Sequence, residues 1–152
     1  GSIVYHLNMN KQQESTCDAL YLSEALVRAG KVLEGRLDDI LAPLGLTASQ
    51  WGVLRALAEA GEALPLGEIA ARLACVKSNA TQLADRLEAQ GLIARVANPL
   101  DRRSTQAVLT HQGHARYAEG ARIVNAFERE HFAQLDADDR AVLDGVLAQI
   151  AE

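Results

Sequence analysis

The chain has 152 residues, of which 49% are hydrophobic and 4% aromatic, and its formal net charge is −5. This length suffices for one domain with a substantial core, or for one protomer of an intertwined oligomer. No long uncharged apolar stretch and no secretory signal is evident, so we expect a cytoplasmic protein without a membrane segment.

The N-terminal segment has no pattern typical of a folded element. Gly1 and Ser2 are typical of a cloning scar, and the only methionine of the chain is Met9. We therefore expect residues 1–15 to be a tag remnant and a flexible N-terminus.

Two helices are predicted before the middle of the chain. Leucines at helical spacing predict a long first helix within residues 16–44, which Pro43 and Gly45 end. Thr47 begins a capping-box pattern, which predicts a second helix that ends near Gly61.

The next segment is typical of a helix-turn-helix. Residues 64–66 predict a short strand, residues 68–74 a first helix, and residues 78–90 a second helix closed by Gly91. Ser78 is expected to cap this second helix, because the valine before it cannot accept a hydrogen bond. Four apolar residues should face the core: Val76, Ala80, Leu83 and Leu87.

The opposite side of this helix presents polar residues that suit DNA. Asn79 and Gln82 can bond adenine edges, and Arg86 can bond guanine or phosphate. Asp85 is expected to position a neighbouring arginine. The predicted contacts of this helix are Lys77, Ser78, Asn79, Thr81, Gln82 and Arg86.

A cationic hairpin follows the helix. Residues 92–96 and 105–109 predict two strands, and the tip between them carries Asp101, Arg102 and Arg103. A helix followed by a basic ribbon suits a major groove and an adjacent minor groove. Residues 72–103 carry a net charge of +3 against −8 elsewhere, so this lobe is expected to face DNA.

The chain ends in two more predicted helices. Thr110 should cap a helix that runs to about Gln134, and Asp136 should cap a last helix. An apolar stripe on the last helix needs a partner surface: Val142, Leu143, Val146, Leu147 and Ile150.

Other reactive residues form no predicted catalytic or metal site. His111 and His114 lie three residues apart, but convergent further ligands are missing, so we expect solvated histidines and no metal. The two cysteines lack the spacing of a disulfide framework or a zinc site. A helix terminus and a lysine favour a reactive thiol at Cys75, whereas apolar neighbours favour its burial, which we expect to dominate. Cys17 is the second candidate redox residue.

The cationic hairpin, called the wing below, resembles the signature of the MarR (multiple antibiotic resistance regulator) family. The resemblance covers about residues 20–150. The signature pairs Asp101 and Arg103 with Leu109, Thr110 and Gly113. Further blocks similar to the family follow in order: Leu44 to Thr47 with Gln50 and Trp51, Glu68 to Ala70, Asp85 to Glu88, and Gly91 to Ile93.

The resemblance implies a mainly α fold with a small β wing, a winged helix-turn-helix in residues 45–110. The helices in residues 16–44 and 111–152 would interlock two copies, so that each winged unit binds half of a pseudopalindromic site. The alternative is a monomer whose terminal helices fold back. Arg103 would enter the minor groove while Asp101 holds an arginine side chain in place.

The resemblance also implies a function. We expect a dimeric transcription regulator that binds double-stranded DNA, a repressor released by a small aromatic or phenolic effector, with no cofactor and no enzymatic activity. Alternatives are a thiol-based sensor and a winged-helix protein-interaction module that does not bind DNA. The expected wall residues of the effector site are Tyr21, Trp51, Arg55 and Tyr117.

Overall fold

A computed structural model describes residues 18–151, so the expectations for residues 1–15 and for Cys17 lie outside the described residues. The described chain divides into two compact units. One contains residues 18–32 and 126–151, and the other contains residues 33–125. Within residues 18–151, no helix has the length and apolar character needed to cross a membrane.

Helices and a small antiparallel sheet make up the fold, which confirms the predicted winged helix-turn-helix. A short 3-10 helix, Ala42–Leu44, follows the first α-helix. The elements are α1 (Asp18–Leu41), α2 (Ala48–Ala60), β1 (Leu64–Pro65), α3 (Leu66–Arg72), α4 (Lys77–Ala89), β2 (Ile93–Asn98), β3 (Asp101–Leu109), α5 (His111–His131) and α6 (Ala137–Ala151).

The sheet has the strand order β1-β3-β2. Leu64 pairs with Ala107 on one side of β3, and Ile93 pairs with Leu109 at the far end of the β2–β3 hairpin. Both hairpin strands are longer than predicted, whereas β1 is shorter because Leu66 already belongs to α3. The sheet therefore ties the wing to the start of the helix-turn-helix.

Short-range capping contacts begin three of the helices as predicted. The hydroxyl of Thr47 accepts a hydrogen bond from the Gln50 amide, and Oε1 of Gln50 accepts one from the Thr47 amide, which completes a capping box. Thr110 caps α5 and Asp136 caps α6 through the same three-residue spacing. α5 ends at His131, three residues before the predicted end.

The start of α4 differs from the prediction in two ways. The helix begins at Lys77 with Val76 as its N-cap, and no side chain caps it, so the cap predicted at Ser78 is wrong. Val76 is 62% exposed and does not face the core. It precedes the helix in extended backbone, so the helical spacing that predicted its burial does not apply to it. Ala84 is buried on the inner face of α4, with Ala80 and Leu87.

The hydrophobic core lies within residues 33–125. α4 packs against α2, α3 and β2, so its inner face is enclosed by helices and sheet. The largest fully buried side chains include one or more from each of these elements: Leu41, Val53, Leu54, Ile69, Leu87, Leu92 and Ile93. This packing leaves the opposite face of α4 at the surface.

Candidate nucleic-acid interface

The outer face of α4 presents a set of polar side chains. Asn79, Gln82 and Arg86 are exposed and lie at positions i, i+3 and i+7, so they share one face of the helix. They line a cleft of about 200 Å³ with Ser49, Leu73, Cys75 and Leu83. The structure therefore brings together the three side chains predicted to bind base edges.

The N-terminus of α4 has the properties of an anion site. Lys77 and Ser78 are exposed there, and no side chain caps the helix. The first amides of a helix have no acceptor within it, and the helix dipole places partial positive charge beside them. Such an end suits a phosphate group.

Thr81 differs from the other predicted contacts. It is half-buried, and its hydroxyl donates a hydrogen bond of 3.0 Å to the carbonyl oxygen of Lys77. A hydroxyl has a single proton to donate. In this geometry the Thr81 hydroxyl cannot also donate to a phosphate, and the residue serves the helix itself.

The wing is a hairpin with a two-residue turn. Asn98 pairs with Asp101, so only Pro99 and Leu100 form the turn. Asp101, Arg102 and Arg103 are exposed as predicted, but they begin strand β3 and are not part of the turn. The pairing with β2 is irregular here, because Ala97 pairs with Thr105 whereas Asn98 pairs with Asp101.

Asp101 acts on the backbone of the wing. Its Oδ1 accepts a hydrogen bond of 2.9 Å from the amide of Arg103. Among the ion pairs of the described residues, none joins Asp101 to an arginine. In this structure the Asp101 carboxylate is oriented toward the backbone of Arg103, and its role on DNA stays a prediction.

Arg95 joins the wing to α4. From β2, its Nη2 donates to Oδ1 of Asp85 at 2.5 Å and to the carbonyl oxygen of Thr81 at 3.2 Å. Its Nη1 lies 3.8 Å from Oε2 of Glu88, and its backbone amide donates to Oε1 of the same residue at 3.2 Å. The predicted role of Asp85 as partner of an arginine is confirmed.

The role of Arg95 was missed from the sequence. In the sequence, Arg95 lies in a predicted strand and is counted only in the net charge. The expectation that Asp85 pairs with an arginine could have identified it. Because Asp85 and Glu88 would repel phosphates, the guanidinium also offsets negative charge on α4. The charges of α4 and of the wing are thus linked through Arg95.

Three of the four residues predicted to bind an effector form a cluster. The rings of Trp51 and Tyr117 stack with centroids 6.1 Å apart, and the guanidinium carbon of Arg55 lies 5.5 Å from the indole centroid. Trp51 is 8% exposed. Gly120 packs against it, since a Cβ there would lie 2.6 Å from the indole. Tyr21 belongs to the other unit and is 71% exposed.

The candidate redox residue Cys75 and the two histidines expected to be solvated lie in different parts of the structure. Cys75 is half-buried and packs against the core beside the cleft of α4. His111 and His114 are both exposed on α5. In the described part of the chain, no group of three or more His, Cys, Asp or Glu residues is placed to hold a metal ion.

Comparisons with known proteins agree with this geometry. A sequence model of the MarR family matches residues 44–104. The HTH-type transcriptional repressor MdtR of Bacillus subtilis is 35% identical over 111 residues, which are 71% of each chain. The transcriptional repressor CouR bound to a 23-mer DNA duplex has a TM-score of 0.79 at 32% identity, covering 94% of this chain and 100% of that chain. NadR in complex with 4-hydroxyphenylacetate has a TM-score of 0.75 at 26% identity, covering 95% and 99%.

Proposed function

The chain belongs to the MarR family of transcription regulators, and from this premise we propose that it is a dimeric repressor of a pseudopalindromic operator, released by a small phenolic ligand. The observation that carries the proposal is that Arg95 of the basic wing bonds to α4, the helix that presents the polar face. A helix and a ribbon held together in this way address two adjacent grooves of one duplex.

Each part of this surface has its own task. Asn79, Gln82 and Arg86 read base edges in the major groove, where each base pair presents a distinct set of donors and acceptors. Lys77 and Ser78 bind phosphate at the start of α4. Arg102 binds backbone phosphate, and Arg103 enters the minor groove, whose negative potential attracts a guanidinium. The modest net charge of the lobe makes the paired half-sites of a dimer necessary for tight binding.

Selection of bound sequences from random duplex DNA tests the DNA part of the proposal. We expect the wild type to select two inverted half-sites. Gln82→Ala should relax base preference at one position of each half-site, by about 1 to 3 kcal/mol. Arg103→Ala should weaken specific and non-specific binding alike and reduce the salt slope by about 1.

The same selection separates this proposal from a protein-interaction module. A module that does not bind DNA would enrich no sequence and would show no salt-dependent affinity for duplexes. An unchanged selected sequence with Gln82→Ala would place this side chain outside the base-reading surface.

The cluster of Trp51, Arg55 and Tyr117 is the proposed ligand site. NadR is similar in fold and binds 4-hydroxyphenylacetate, a phenol with a carboxylate. Indole and phenol faces suit an aromatic ring, and the Arg55 guanidinium suits a carboxylate. Since the indole is covered in this structure, a ligand has to displace the Arg55 or Tyr117 side chain from it.

Fluorescence gives a direct measurement for the ligand, because Trp51 is the only tryptophan of the chain. We expect a small phenolic carboxylate, with 4-hydroxyphenylacetate tested first, to change this fluorescence and to weaken operator binding. Arg55→Gln should weaken both effects together. A panel of such compounds that leaves fluorescence and operator binding unchanged would refute the ligand site.

Thiol control through Cys75 is the second candidate, because this residue lines the same cleft as Asn79, Gln82 and Arg86. An oxidised or modified sulfur there would displace base-reading side chains. Repeating the operator assay with peroxide distinguishes the candidates. Prompt release of the wild type, abolished by Cys75→Ser, would favour thiol control, and retained binding would favour the ligand.

A further inference from the structure

The tip of the wing carries an apolar side chain that the proposed contacts do not use. Leu100 is 95% exposed, the largest exposed fraction among the large hydrophobic side chains of the described residues. Pro99 beside it is also exposed. Together they form the whole two-residue turn between β2 and β3.

Hydrogen bonds on both sides hold this turn. Oδ1 of Asn98 accepts a bond of 3.0 Å from the amide of Leu100, and Oδ1 of Asp101 accepts one of 2.9 Å from the amide of Arg103. Pro99 restricts the backbone further through its fixed φ. The leucine is therefore presented on an ordered turn, which lowers the entropy cost of placing it against a partner.

The surroundings of Leu100 determine what kind of partner fits. Arg102 and Arg103 follow within three residues and are both exposed, so the partner surface has to accept cations beside an apolar group. The DNA minor groove does so, because its phosphates are anionic while its walls are formed by deoxyribose rings. Apolar residues such as leucine are known to enter minor grooves between base steps.

We propose that Leu100 is a DNA contact of this chain, an apolar wedge that packs against the sugars of the minor groove while Arg103 supplies the charge. The inference rests on the proposed function and names a contact that the basic residues of the wing do not provide. Leu100 thereby adds affinity through burial of apolar surface, in contrast to the counterion release that phosphate contacts supply.

Three variants test the wedge on the duplex selected by the wild type. Leu100→Ser should weaken binding about tenfold, a loss consistent with partial burial of one leucine. Its salt slope should remain that of the wild type, because no phosphate contact is removed, whereas Arg103→Ala should lower the slope. Leu100→Met, which keeps an apolar side chain, should bind within about twofold of the wild type.

Calorimetry adds a second measurement. The heat-capacity change on binding should be less negative for Leu100→Ser than for the wild type and Leu100→Met, because less apolar surface is buried. Thermal melting should be the same for all three, since the side chain packs against nothing in the free protein.

Three results would overturn the wedge: wild-type affinity in Leu100→Ser, a salt slope lowered as in Arg103→Ala, or an equal loss in Leu100→Met. Wild-type protein that selects no duplex would instead refute the proposed function, and the wedge with it. If the wild type selects a duplex and Leu100→Ser binds that duplex with wild-type affinity, the wedge alone is refuted.

Discussion

Single residues at the start of α5 show why part of the family signature has a structural role. Thr110 donates from its hydroxyl to the carbonyl oxygen of Gly91 at 2.7 Å and accepts from the amide of Gly113 at 3.0 Å. Its own amide donates to the carbonyl oxygen of Leu92. Gly113 packs so closely here that a Cβ would lie 1.9 Å from that same oxygen. This junction joins the link between α4 and β2 to the start of α5.

Gly113→Ala is expected to destabilise the protein strongly, by about 3 kcal/mol, because the methyl group would collide with backbone that cannot move without breaking the Thr110 bonds. Chemical denaturation measures the loss. Gly67→Ala is the matched control, since no atom lies within 4 Å of the added Cβ. It should leave stability unchanged or raise it by up to about 1 kcal/mol. Equal stability of both variants would contradict the close packing at Gly113.

At the scale of elements, the contact between α4 and β2 decides how the wing is positioned. Arg95 bonds to one carbonyl oxygen and two carboxylates of α4, and its Nε is buried without a partner. The ion pairs alone contribute little, since Asp85 and Glu88 are largely exposed to solvent. We infer that they act through their geometry, because they attach β2 of the wing to α4.

Arg95→Met is therefore expected to uncouple the wing from α4 while keeping the apolar stem of the side chain. Arg103→Ala should cost much less DNA affinity in the Arg95→Met background than in the wild type, because a wing that is not held contributes less. A double-mutant cycle on operator affinity measures this coupling.

Arg72→Met is the control for charge, since among residues 18–151 Arg72 forms its ion pair with Glu68 of its own helix, at 2.9 Å. In that background the cost of Arg103→Ala should equal the wild-type cost. If the losses of binding free energy caused by Arg95→Met and Arg103→Ala were additive, Arg95 would act through its charge alone and would not position the wing.

At the scale of the whole molecule, the unit formed by residues 18–32 and 126–151 exposes much apolar surface. On α1, Tyr21, Leu22, Val27 and Val32 are all exposed. On α6, the stripe predicted to need a partner is exposed along its length: Val142, Leu143, Val146, Leu147 and Ile150. Such surface is unfavourable in water, and a second copy of the chain is the partner that we propose for it.

We expect sedimentation to show a dimer at micromolar concentration. The double substitution Val146→Asp and Leu147→Asp should yield a folded monomer with much weaker operator binding, because charges in the apolar stripe oppose its burial. Ala148→Asp, on the opposite side of α6, should remain dimeric. A wild type that sediments as a stable monomer would contradict the proposal.

The sequence by itself determined the features that depend on neighbouring residues. Thr47, Thr110 and Asp136 cap their helices through bonds that span three positions, so their roles follow from local spacing alone. The inner face of α4 followed from helical periodicity for Ala80 and Leu87, and it failed at Val76, where the helix had not yet begun.

The tertiary structure decided the contacts between residues that are distant in sequence. Arg95 and Asp85 are ten residues apart, and the indole of Trp51 reaches the carbonyl oxygen of Tyr117 across 66 positions. No local pattern encodes such pairs, because they form only when packing of the core brings two elements together. The same holds for the wing tip, where pairing of Asn98 with Asp101 placed Leu100 in the turn and moved the arginines into the strand.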